Sequence, residues 1–163
     1  MDYSDEYLKS ILDDVKNVAM VGVSTNPVRP SFYVGRYLSL KGYKVLPVNP
    51  VYAGQSLFGT KIHKSLKKLR KTKEDVHMVD IFRRSEEAGA VVDEALDRLL
   101  DRGLKAIWMQ IGVEDKAAAK RAEAKGVRVV MNRCPKIEYQ RLCGELAMGG
   151  FNTGLISSKF RKV

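Results

Sequence analysis

Residues 18–31 read VAMVGVSTNPVRPS, and this stretch decides the fold. Positions 18–23 carry no charge and lie between Asn17 and Ser24. A run so short and so apolar suits a strand covered on both faces, as in a parallel sheet. Gly22 lets the backbone turn tightly as it leaves that strand. Ser24, Thr25 and Asn26 offer side-chain hydrogen bonds. The helix expected next, over 31–41, presents free N–H groups and a partial positive charge, which favours a phosphate. Arg29 adds a forked cation suited to a pyrophosphate.

The same unit recurs along the chain. Further strands are expected at 44–48, 76–82, 106–109 and 127–131, and further helices at 85–102 and 114–125. Gly42, Gly103 and Gly126 sit just past helices, where a left-handed residue ends the turn cheaply. An amphipathic helix over 3–15 leads into the sheet. The longer connection 51–72 is expected to hold an extended piece near 58–62 and a short basic helix near 65–70. Alternating strand and helix defines an α/β protein. The expected architecture is a doubly wound Rossmann-like parallel five-stranded sheet in the order 3-2-1-4-5. Residues 1–143 are read as one domain and 144–163 as a C-terminal tail, loosely ordered or packed on a partner subunit. Phe151 and Phe160 in that tail would suit a homodimer.

Composition narrows the function classes. The chain has 163 residues, 45% hydrophobic and 29% charged, which is ordinary for one globular domain. Its 29 basic against 19 acidic side chains leave a net charge of +10, favouring an anionic partner. Two cysteines, Cys134 and Cys143, make neither a disulfide framework nor a four-ligand zinc site, so no metal is expected. No apolar stretch approaches a membrane span, and the acidic start is unlike a signal peptide. A cytoplasmic location follows as the expectation.

In a doubly wound sheet the crevice lies at the carboxyl ends of the strands. The dinucleotide fingerprint G-x-G-x-x-G is absent there, because Ser24 and Pro27 occupy the second and third glycine positions. Asn49-Pro50 stands where a ribose-binding carboxylate belongs at the end of the second strand. The phosphate-loop pattern G-x-x-x-x-G-K-[ST] is missing as well.

Five segments carry a resemblance: VGVSTNPVRPS, VNP, VDIFRR, WMQIGVED and MNRCPKIEY, one at each strand end and spanning about 15–142. In order and in place, they resemble the stand-alone coenzyme A-binding protein family. That domain is similar to the N-terminal domain of the succinyl-CoA synthetase alpha subunit. The tail run NTGLISSK resembles the family's bacterial branch. The resemblance implies coenzyme A (CoA), or an acyl-CoA, as ligand. It implies a phosphate shelf of Gly22, Val23, Ser24, Asn26, Arg29, Pro30 and Ser31. Asn49, Pro50, Phe82 and Arg83 would form adjoining walls, with Gln110 and Gly112 nearer the thiol end. The ligases also need a phosphorylatable histidine and a nucleotide-grasping domain. His63 and His77 match neither motif, so binding without catalytic machinery is expected.

Rival readings stand beside this one. The first is an NAD(P)-dependent oxidoreductase or NAD(P)-binding regulatory protein, with arginines receiving a 2′-phosphate. A second is nucleic-acid binding through the lysines of 61–73, although a solvated basic face is the favoured reading of such a run. Cys134 before Pro135 is either a thiol activated at a helix start or a packing residue, the latter being commoner. Cys143 and Trp108 read as packing residues, and His77 as a satisfied strand histidine.

Overall fold

The computed structural model describes residues 2–143. The expected tail, with Phe151 and Phe160, lies outside the described residues. Helix α1 (Asp5–Asp14) begins where the Ser4 hydroxyl accepts from the Tyr7 N–H, and buries Leu8, Ile11 and Leu12. The βα units follow: β1 (Asn17–Val21), α2 (Pro30–Leu40) and β2 (Lys44–Val48). The long connection folds as a hairpin of β3 (Ser56–Leu57) and β4 (Thr60–Lys61), then α3 (Leu66–Arg70). After these come β5 (Met78–Ile81), α4 (Ser85–Leu99), β6 (Ala106–Met109), α5 (Lys116–Glu123), β7 (Arg128–Val130) and α6 (Pro135–Leu142). No described helix is long and apolar enough to cross a membrane.

The five long strands form one parallel sheet, as the alternation requires, but their order is β2-β1-β5-β6-β7. With the five strands numbered in chain order, that is 2-1-3-4-5 rather than the expected 3-2-1-4-5. The physical reason lies in β2. Pro47 sits within it opposite Met20 and has no N–H to give a further strand. Its carbonyl faces outward and accepts from the His63 N–H at 2.8 Å. A strand lacking that donor suits the sheet edge, so β5 joins β1 on the other side.

Alternation along each strand splits the core in two. Ala19, Val21, Val79, Ile81 and Ile107 pack against the apolar faces of α3, α4 and α5. Val18, Met20, Met78 and Trp108 pack against α1, α2 and α6. By the same alternation Asp80 points into the second layer beside Met78, fully buried. Both edges of the sheet are covered. His63 closes the outer side of β2. On β7 the Tyr7 hydroxyl bonds the Val129 N–H and C=O at 3.1 Å each, and the Tyr3 hydroxyl accepts from the Met131 N–H at 2.9 Å.

Candidate functional site

Strand order reverses between β1 and β5. The chain leaving β1 turns to α2 on one face, and the chain leaving β5 turns to α4 on the other. A crevice opens where the two connections part.

Gly22 makes the parting possible. Its φ is +91°, and a Cβ there would fall 2.5 Å from the Phe82 carbonyl oxygen. Its N–H donates to the Val48 carbonyl at 2.9 Å, while the Phe82 N–H donates to Val21 at 2.8 Å. Three strand ends are thereby pinned together. Beyond Gly22 the loop is held by its own side chains. The Ser31 hydroxyl accepts from the Ser24 N–H at 2.9 Å. The Ser24 hydroxyl accepts from Asn26 N–H, and Asn26 Oδ1 accepts from Val28 N–H, each at 3.1 Å. Arg29 precedes α2 with no side-chain cap, and Pro30 opens the helix.

The crevice has two adjoining parts. One, about 390 Å³, is lined by Gly22, Ser24, Arg29, Pro30, Ser31 and Asn49 on the β1 and β2 side, and by Phe82 and Arg83 across from them. Val51 and Tyr52 complete it. Its charged lining residues are the two guanidinium groups, so it attracts anions. The other part, about 370 Å³, is bounded by Tyr33, Val34, Ile111, Val113, Cys134 and Gln110. Pro30 and Phe82 line both.

Eight of the expected residues therefore meet in the first part and Gln110 in the second. Four do not line either. Val23 is fully buried, and its carbonyl accepts from Asn49 Nδ2 at 2.8 Å. Asn26 shapes the loop. Pro50 lies in the exposed turn after β2, and the Gly112 N–H donates to Asn132 Oδ1 at 2.8 Å. Asn49 itself is largely a brace, because its Oδ1 also accepts from the Val51 N–H at 3.0 Å. Tyr33 and Val34 went unnoticed in the sequence, although they lie three and four residues past Pro30, on one helical face. Val51 and Ile111 carried a plainer signal, being apolar residues just after expected strands.

A buried polar pair lies behind the second part. Gln110 Nε2 donates to both Asp80 carboxylate oxygens, at 2.9 and 3.0 Å. Burial pushes the Asp80 carboxyl up to about 8, against the smaller opposing effect of Gln110. Cys134 is pushed up to about 11, first by burial and further by Asp80, against the lowering effect of the Ile137 and Lys136 N–H groups. Burial thus outweighs the helix start, and the thiol is protonated at neutral pH. His77 lies at the opposite end of the sheet, where its Nδ1 accepts from the Lys16 and Asn17 N–H groups at 3.2 and 3.1 Å. Among the described residues no group of three His, Cys, Asp or Glu side chains is placed to hold a metal. Lys61, Lys64, Lys67, Lys68, Lys71 and Lys73 are exposed, and none lines the crevice.

A doubly wound sheet with a cationic crevice at its reversal point defines a Rossmann-like binding domain. Residues 16–140 match the family described as CoA binding domain, and the chain belongs to that family. It is similar to the Bacillus subtilis protein YneT, with 32% identity over 132 residues, covering 81% of this chain and 91% of YneT. A solved structure from Thermus thermophilus (cell-free ID.343) is 34% identical, with TM-score 0.73, covering 86% of this chain and 99% of that one. A hypothetical protein from Pyrococcus horikoshii OT3 is 32% identical, with TM-score 0.76, covering 87% and 94%.

Proposed function

We propose that the protein is a cytoplasmic CoA-binding module, holding CoA or an acyl-CoA in the two-part crevice and acting through binding. The observation that carries this reading is the pairing of an anion-attracting part with an uncharged part at one strand reversal, inside the family match. CoA divides in the same way, with its phosphates at the nucleotide end and a long uncharged arm ending in the thiol.

In this reading the pyrophosphate rests on the shelf from Ser24 to Ser31, at the start of α2, with Arg29 and Arg83 supplying counter-charge. Gly22 lets the phosphate approach the backbone. Val23, Asn26 and Asn49 keep the shelf in shape, Pro50 sets the turn beside it, and Gly112 sets the turn after β6, nearer the thiol end. The pantetheine arm passes between Pro30 and Phe82 to reach Gln110. The protonated Cys134 thiol supports binding rather than nucleophilic chemistry.

Calorimetric titration of CoA into the full chain tests the proposal. Saturable binding is expected, abolished or strongly weakened by Ser24→Tyr, whose ring would fill the shelf. Unchanged CoA affinity in that variant would remove the first loop from the site.

A further inference from the structure

We propose that the uncharged part of the crevice is a subsite for the acyl chain of a CoA thioester, and that it selects short uncharged acyl groups over carboxylated ones. This deepens the CoA reading and rests on it.

The two parts of the crevice share Pro30 and Phe82. Every phosphate of CoA lies on its nucleotide side, and both arginines line the first part. The uncharged arm must therefore be the portion that crosses Pro30 and Phe82, and whatever is attached to the thiol arrives in the second part. That space is about 370 Å³, within the usual range for small-molecule pockets.

Its walls fix the chemistry it accepts. Val34, Ile111 and Val113 are apolar, Tyr33 adds an uncharged phenol, and Gln110 is the one carboxamide. No lysine, arginine or histidine is among its lining residues. Gln110 already spends its Nε2 on Asp80, whose carboxyl lies fully buried behind it. A carboxylate on the acyl chain would enter a mostly apolar-walled space with no cation among its lining residues to meet it, which is unfavourable. A hydrocarbon chain would instead cover Ile111, which is 58% exposed at the rim. Cys134 closes the floor as a protonated thiol, so the thioester is held rather than attacked.

The test compares dissociation constants of CoA, butyryl-CoA and succinyl-CoA on the full chain. Butyryl-CoA is expected to bind at least about tenfold more tightly than CoA, since each buried methylene adds about fourfold. Succinyl-CoA is expected to bind more weakly than CoA. Ile111→Lys places a cation at the rim, on an exposed position, and is expected to reverse the order of the two thioesters. A second readout, the melting temperature of the unliganded variant, checks that the fold survives. Equal affinities for all three ligands, or succinyl-CoA binding as tightly as butyryl-CoA, would overturn the subsite while leaving CoA binding intact. Absence of CoA binding would overturn the functional reading and the subsite together.

Discussion

Gly22 and the Phe82 carbonyl approach so closely that no side chain fits between them: a Cβ on Gly22 would lie 2.5 Å from that oxygen. The contact joins the ends of β1 and β5, the two strands whose connections part to form the crevice. The positive φ alone costs a non-glycine residue about 1–3 kcal/mol, and the backbone contact adds to that cost. Gly22→Ala is therefore expected to lower the melting temperature by several degrees, at about 2–4 °C per kcal/mol. Thermal unfolding followed by circular dichroism reads this directly. An unchanged melting temperature would mean the two strand ends can separate freely.

The Tyr7 hydroxyl satisfies both backbone groups of Val129 at the outer edge of β7. Tyr7→Phe keeps the ring and leaves those groups without their partner, at an expected cost of about 1–3 kcal/mol. Urea unfolding gives the stability change. Hydrogen exchange should show faster exchange at the Val129 amide, with little change on β1.

Asp80 gives the molecule a pH dependence of definite sign. Its carboxyl titrates near 8 when folded and near its ordinary value of 3.8 when unfolded. Between those values the folded state holds the proton and the unfolded state has lost it. The contribution of Asp80 to stability is therefore complete below about pH 4 and declines as the pH rises towards 8. Asp80→Asn should flatten this part of the profile, measured as urea midpoints at successive pH values. An identical slope in wild type and variant would show that Asp80 is ionised in the folded protein.

Arg29 and Arg83 both line the anion-attracting part. Loss of one charge-assisted contact costs about 1.5–3 kcal/mol, so Arg29→Ala and Arg83→Ala should each weaken CoA binding by about tenfold or more. Arg29 is exposed, so its replacement should leave the melting temperature unchanged. Salt screens such contacts. Wild-type affinity should fall more steeply with ionic strength than that of either variant.

The sequence made the repeating units legible because apolar runs and glycine stops are local signals. The loop at 22–31 was legible for the same reason, since Gly22, Ser24 and Arg29 declare their chemistry without reference to distant residues. Strand order was harder, because β2 and β5 are both apolar and hydropathy alone does not choose which joins β1 on which side. Pro47 was the available clue, as a missing N–H marks an edge. The paired Asp80 and Gln110 were not visible together, since they lie 30 residues apart and meet only when β5 and β6 are adjacent. Burial of Cys134 was likewise a tertiary fact. The helix start beside it argues for a reactive thiol, and the packing around it argues more strongly against one.

The most direct test of CoA binding is a thermal-shift comparison of CoA, NAD, NADP and ADP at equal concentration with the full chain. A ligand at 100 times its dissociation constant stabilises the folded state by about 2.7 kcal/mol. For a chain of this size that corresponds to a rise of roughly 5–10 °C. CoA is expected to give that rise, with ADP giving less and NAD and NADP little. A large shift with NADP and none with CoA would contradict the account and turn the crevice into a dinucleotide site.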